Sequence, residues 1–187
     1  MLAEWIFVTN ALQVSSRIRI AVLRAFGAKI GNGVLMRPRI RVKFPWNLEI
    51  GDRCWIGEGV WIHNQGKVTL GCDVVVSQEA FITTGSHDTH STMDLIVRPI
   101  VIHDGAWVTS RCIVLQGVEI GENAIVTPGS VVHQSLKPNG IYGGNPCVFI
   151  KERKIETAAI TVGPYFSTTE RLENDKKTPS VDRKTSQ

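Results

Sequence analysis

From residue 50 to residue 132 a large aliphatic side chain returns every six positions: Ile50, Ile56, Ile62, then Leu70, Val76, Ile82, then Ile102, Val108, Val114, Ile120, Val126 and Val132. Two interruptions break the step, a two-residue slip after Ile62 and a longer excursion between Ile82 and Ile102. Four residues after most of these positions stands a smaller side chain, at Cys54, Val60, Val74, Ala80, Ala106, Cys112, Val118, Ala124 and Ser130. A period of six matches neither a helical stripe nor simple strand alternation. It does fit short strands joined by corners and stacked as a solenoid, with both periodic sets pointing inward. Gly51, Gly57, Gly71 and Gly121 directly follow aliphatic positions, where a turn would use their access to positive φ.

The flanks follow other rules. Leu2, Trp5, Ile6, Ile18, Val22, Leu23 and Phe26 are spaced to form one apolar helical face with Arg17, Arg19 and Arg24 beside it. The alternation of Ile18, Ile20 and Val22 would equally suit a strand. Such a segment is expected to cap the open end of the solenoid; the alternative is peripheral attachment to a membrane, as basic amphipathic helices do. Weaker hexads at Ile30-Gly31, Met36 and Val42 extend the solenoid towards this cap. Beyond Ile150 the chain turns to Lys, Glu, Asp, Ser and Thr, which reads as a short helix or extension and then a disordered tail. The expected organisation is therefore a capping segment 1–28, a solenoid domain 29–150 and an extension 151–187.

Composition narrows the partners. At 187 residues and 43% hydrophobic content the chain suits one domain with a sizeable core. The net charge of +4 comes from scattered residues of both signs, without the basic block interleaved with aromatics that nucleic acid binding needs. Cys54, Cys72, Cys112 and Cys147 lie far apart with no CxxC pair, so a zinc ribbon or dithiol site is not expected. No apolar run is long enough to cross a bilayer, and the start lacks a signal-peptide pattern. The expected location is the cytoplasm, or the inner face of the membrane if the first segment attaches there.

The segments IGDRCW, IGEGVW, LGCDVV and IGENAI resemble the left-handed parallel β-helix of the hexapeptide-repeat acyltransferases, an all-β fold in which three hexads make one triangular coil. The stretches FGAKIGNGV, PWNLEIGDRCWIGEGV and VSQEAFITTGSHD are similar, more narrowly, to the acetyltransferases of exopolysaccharide biosynthesis of the colanic-acid type. That resemblance implies acetyl-CoA as donor, a sugar hydroxyl as acceptor, and a cyclic homotrimer with its sites between subunits. An amino-sugar N-acetyltransferase and a non-catalytic scaffold are the alternatives on the same fold.

Acetyl transfer to a hydroxyl needs a general base, stabilisation of the oxyanion, and two substrates held together. His87, in TTGSHD at the start of the excursion, matches the family's catalytic histidine. Asp88 could orient His87 or shape an acceptor pocket, and His90 and Asn64 are further acceptor-binding candidates. By the same resemblance Trp107, Ser110 and Thr127 line the CoA groove, and Gly143, Gly144, Asn145 and Pro146 match the family's GGNPA turn beside the adenine. Here Cys147 and Val148 replace the usual alanine and basic residue, which leaves Lys151 or Arg153 to meet the CoA phosphates. Arg37, Arg39, Arg41 and Lys43 alternate and would share one extended face, available to an anionic acceptor. A zinc-dependent carbonic anhydrase of this fold needs three converging histidines; the spacing of His63, His87 and His90 does not supply them, and no metal is expected.

Overall fold

The computed structural model describes residues 15–154. The calls on residues 2–14 and 155–187 made above lie outside them. Five triangular coils stack on one another. Coil 1 contains β1 (Lys29–Ile30), β2 (Leu35–Met36) and β3 (Arg41–Val42); coil 2 contains β4 (Leu48–Ile50), β5 (Trp55–Ile56) and β6 (Trp61–His63). Coil 3 contains β7 (Val68–Leu70), β8 (Val75–Val76) and β9 (Phe81–Thr83), and is followed by a projecting hairpin, β10 (Gly85–His87) and β11 (Leu95–Val97). Coil 4 contains β12 (Ile100–Ile102), β13 (Trp107–Val108) and β14 (Ile113–Val114); coil 5 contains β15 (Glu119–Ile120), β16 (Ile125–Val126) and β17 (Val131–Val132). A partial sixth coil bridges Leu136 to Ile120 and ends in β18 (Gly140–Gly143) and β19 (Val148–Glu152). The result is a left-handed β-helix.

The first strand of each coil pairs in parallel with its equivalents to make face A, the second strands make face B, and the third make face C. Both periodic sets are buried, from Ile50 through Val132 and from Cys54 through Ser130, because each strand end and each corner turns one side chain into the prism. The outward ladders differ in character. Face A shows Lys29, Glu49, Thr69, Val101 and Glu119 in register. Face B shows Leu35, Trp55, Val75, Trp107 and Ile125, and face C shows Arg41, Trp61, Phe81, Ile113 and Val131. Two apolar faces thus flank one polar face.

The glycines after the aliphatic positions serve a different purpose from the one expected. Gly51 and Gly121 are not among the residues with positive φ. A Cβ on Gly51 would lie 2.6 Å from the Gly71 carbonyl carbon, and one on Gly121 would lie 2.5 Å from the Pro138 nitrogen, so these glycines let successive coils approach. The left-handed conformation falls two residues later in the corner, at Arg53, Asp73 and Asn123.

Residues 16–25 form a helix, α1 (Ser16–Ala25), rather than a strand, with Ser15 Oγ accepting from Ile18 N–H at 3.4 Å as its N-cap. Its role on the solenoid is to cover exposed backbone. Buried Arg19 donates Nη2 to the Met36 carbonyl at 3.0 Å, Ser16 Oγ accepts from Met36 N–H at 2.9 Å, and Arg24 donates to the Ile30 and Gly31 carbonyls. At the other end β19 closes face B as an antiparallel strand against β18, where a short helix or extension was expected.

Candidate functional site

The corner between faces C and A is irregular in the first three coils, and the irregular turns stack on one another. In coil 1 it is a 3-10 turn, Pro45–Asn47; in coil 2 it is the two-residue slip, whose Asn64 and Gln65 carbonyls accept from Asn47 Nδ2 at 3.4 and 2.9 Å. In coil 3 Thr84 Oγ1 accepts from Gly66 N–H at 2.8 Å, and the chain then leaves as the β10–β11 hairpin. Gly66 has no Cβ because one would lie 2.6 Å from Val97 Cγ1, so the hairpin root rests on the coil below.

His87 stands on this hairpin, opposite Leu95. Its Nδ1 lies 2.7 Å from the Met93 carbonyl oxygen. A carbonyl can only accept, so Nδ1 carries a proton, and in the neutral imidazole it is then Nε2 that presents a lone pair to solvent. A neutral ring held this way can accept a proton at Nε2, and the ring is exposed. The sequence offers Asp88 either for this orienting contact or for shaping an acceptor pocket. In the structure the Asp88 carboxylate instead accepts from His90 N–H at 2.8 Å and from the Ser91 hydroxyl, and those donors, the Ser91 hydroxyl foremost, hold its pKa below the ordinary value. Asp88 shapes the hairpin tip; a main-chain oxygen, which no residue pattern announces, orients the histidine. His90 is exposed in the same tip.

Asn64 also departs from its expected role. Its side chain is fully buried, donates Nδ2 to the Phe44 carbonyl at 2.7 Å and accepts from Phe44 N–H at 3.1 Å. It ties coil 2 to coil 1 and offers no surface to a sugar. The adjacent Gln65, which no sequence motif marks, does lie by the hairpin: a Cβ on Gly85 would meet its Oε1 at 1.9 Å.

The groove residues gather at the corner between faces B and C. Ser110 lines an open cleft of about 530 Å³ with Gln78, Glu79, Arg111, Pro128 and Gly129, and its Oγ donates to Gln78 Oε1 at 3.2 Å. Trp107 is on the adjoining edge of face B, 41% exposed, with Nε1 donating to Ser77 Oγ at 2.9 Å. Thr127 begins the next corner up; a Cβ on Gly143 would strike its Oγ1 at 2.1 Å, and Gly144 N–H donates to Ser130 Oγ at 3.0 Å. The segment Gly143–Pro146 therefore wraps over the same corner, with a cis peptide between Asn145 and Pro146. Lys151 is exposed on β19. Arg153 is turned to structural use: Nη1 donates to the Asn123 carbonyl at 2.8 Å and the Gly105 carbonyl at 3.2 Å, pinning β19 to the corners between faces A and B.

His87 and the Ser110 cleft thus occupy opposite edges of face C. A side of six extended residues spans at most ~20 Å, and a packed solenoid cannot fold that span away. Among the described residues no group of three or more His, Cys, Asp or Glu could hold a metal ion, and no helix is long and apolar enough to cross a membrane.

Comparison with known proteins agrees with this architecture. Residues 99–134 match the model of the bacterial transferase hexapeptide family (six repeats). WcaF of Escherichia coli (strain K12), a candidate colanic acid biosynthesis acetyltransferase, is 41% identical over 147 residues, 78% of this chain and 80% of the relative. The chain belongs to the hexapeptide-repeat acetyltransferases. The galactoside O-acetyltransferase of Escherichia coli (strain K12) is 25% identical to this acetyltransferase, over 72% of this chain and 68% of the relative. A hexapeptide-repeat acetyltransferase of Vibrio cholerae, solved with acetyl coenzyme A, superimposes with a TM-score of 0.72 at 26% identity, covering 78% of this chain and 81% of that one.

Proposed function

We propose that the protein transfers an acetyl group from acetyl-CoA to a sugar hydroxyl in the making of an exopolysaccharide or glycoconjugate, with His87 as general base. The observation that carries the reading is the His87–Met93 contact, which orients the ring so that in the neutral imidazole Nε2 is the exposed acceptor. Nε2 accepts the proton of the acceptor hydroxyl as its oxygen bonds to the thioester carbonyl carbon. As the C–S bond breaks, the imidazolium returns that proton to the departing thiolate. The charge on the imidazolium is met by the Met93 carbonyl dipole, and no covalent enzyme intermediate is needed. Similarity to WcaF and to a galactoside O-acetyltransferase favours oxygen over nitrogen as the acceptor atom.

The site is complete only between copies of the chain. One face separates His87 from Ser110, and faces B and C carry largely apolar ladders, with the half-exposed Trp107 in that of face B. Turning the C–A corner of one copy towards the B–C corner of the next brings His87 to the cleft lined by Ser110 and Gln78, with Trp107 and Thr127 alongside. Such head-to-tail contacts close into a ring; a homotrimer provides three equivalent sites. Acetyl-CoA is a cytoplasmic donor, which places the reaction on the cytoplasmic side.

The test is thiol release from acetyl-CoA with a panel of sugar and oligosaccharide acceptors. Acceptor-dependent release that falls by about 10²–10⁴-fold in His87→Ala, the usual contribution of a general base, is the expected result. Release that is unchanged in the variant, while both proteins bind CoA, would refute the assignment of the base. Sedimentation at micromolar protein should give a trimer; a monomer with full activity would refute the shared site.

A further inference from the structure

The groove residues run from Gln78 and Glu79 in coil 3, level with the coil that bears His87, through Ser110 in coil 4 and Thr127 in coil 5 to Gly143–Pro146 beyond them, and none lies in coils 1 and 2. An acceptor that shares His87 must therefore approach from coils 1 and 2. On that side the corner between faces C and A presents Trp46, 61% exposed, with the Phe44 ring 5.2 Å away at 49°. Lys43 Nζ stands 5.9 Å from the Phe44 ring centroid. The platform is rigid, because Asn64 and Asn47 fix both ends of the turn that carries it. Two strand spacings of ~4.8 Å separate Trp46 from the coil that bears His87, a distance that a short oligosaccharide spans.

The basic residues of coil 1 do not form the single face expected from their alternation. The corner at Pro38–Ile40, with Arg39 in the left-handed conformation, divides them. Arg39 is neutralised by Glu58 and Glu79, as Lys29 and Lys67 are by Glu49 and Arg53 is by Asp73. Arg41 and Lys43 have no such ion pair among the described residues; Arg41 lies over the Trp61 ring at 4.1 Å, leaving Lys43 as the uncompensated cation at the aromatic corner. Its charge is felt locally, since His63 is held below the ordinary histidine value by burial and then by Lys43. A solvent-facing indole with an ammonium free of any ion pair across the Phe44 ring is suited to the face of a sugar ring and an anion attached to it.

We infer that this corner is the acceptor subsite and that the acceptor is an anionic carbohydrate, bearing a phosphate or a carboxylate, with a ring against Trp46 and its anion at Lys43. The inference rests on the transferase site proposed above and adds the substrate class.

The experiment begins with calorimetric titration of CoA into the full-length protein and its variants. Failure of CoA to bind would overturn the transferase reading itself. With CoA saturating its groove, ligand-observed NMR then compares methyl glucoside, glucuronic acid and glucose 1-phosphate. The anionic probes are expected to bind about two- to fivefold more tightly than the neutral one, the worth of one screened ion pair, and the preference should fade as salt rises. Whichever anion binds better identifies a carboxylate or a phosphate on the acceptor. Lys43→Gln should abolish the preference, Trp46→Ala should weaken all three probes, and neither should alter CoA affinity. Equal binding of neutral and anionic probes, or a preference that survives Lys43→Gln, would overturn the subsite. So would adsorption to phosphatidylglycerol vesicles without binding of either anionic sugar, which would assign the patch to a membrane surface.

Discussion

Replacing Asn64 by alanine distinguishes a structural amide from a sugar ligand. The substitution removes the donor to the Phe44 carbonyl, at 2.7 Å, and the acceptor for Phe44 N–H, at 3.1 Å. A buried polar group left without a partner costs ~1–3 kcal/mol. Phe44 is only half-buried, so water recovers part of this, and the pair together with the small void should cost ~2–4 kcal/mol. At ~2–4 °C per kcal/mol for a chain of this size, the melting temperature should fall by ~5–15 °C. The assay is thermal denaturation followed by circular dichroism at one fixed protein concentration, since assembly shifts apparent stability. Asn64→Asp gives a signed control. It keeps an oxygen towards Phe44 N–H but sets a carboxylate against the Phe44 carbonyl, raising the pKa of the introduced acid above its unfolded value. The neutral form restores the donor, so the deficit should be smallest below the unfolded pKa and should grow as pH rises through the folded one. A melting temperature unchanged in Asn64→Ala, with a large rise in acceptor KM, would refute the structural role and return Asn64 to the acceptor site.

Further outcomes follow from the same geometry. Met93 supplies its main-chain oxygen to His87 and stands at φ 58°, so Met93→Gly should keep at least about a third of kcat, since its side chain makes no part of the orienting contact and glycine accepts this conformation; a loss as large as that of His87→Ala would refute the backbone role. Burial pushes the Cys54 thiol up to about 12 and the Cys147 thiol up to about 11, so iodoacetamide at pH 8 should spare both in native protein, as mass mapping after brief exposure can show, while the more exposed Cys72 is labelled. Asp88 has a lowered folded pKa, so its hold on the hairpin tip should be complete above the ordinary carboxylate value of ~3.9 and lost as pH falls through the lower folded value. Amide exchange of His90, measured down the acid limb, should stay protected until below that ordinary value; loss of protection well above it would contradict the Asp88 contact.

The sequence by itself determined the solenoid, because a six-residue period in side-chain size is a local property that each coil repeats: the inward sets, the two interruptions and the placing of His87 at the larger one are all visible in the order of residues. Its motifs assign Trp107, Ser110 and Gly143–Pro146 to one groove by resemblance, but only the stacked coils show Ser110 and Gly143–Pro146 at one corner with Trp107 on the adjoining edge. What it left undecided depends on residues brought together across coils. Asn64 is a solvent-facing candidate until the Phe44 backbone, 20 positions earlier, takes both ends of its amide. Asp88, next to His87 in the chain, turns its carboxylate to the hairpin tip, and the orienting atom is a carbonyl from across the hairpin. Arg153 reads in the sequence as a phosphate contact or a surface cation until stacking of coils offers it the Gly105 and Asn123 carbonyls. The glycines were legible as necessary but not for the right reason, since the backbone they must admit belongs to the next coil. Periodicity fixes which side chains face inward; only the stacked coils decide which backbone groups need a partner, and those needs claim side chains that the sequence alone would assign to chemistry.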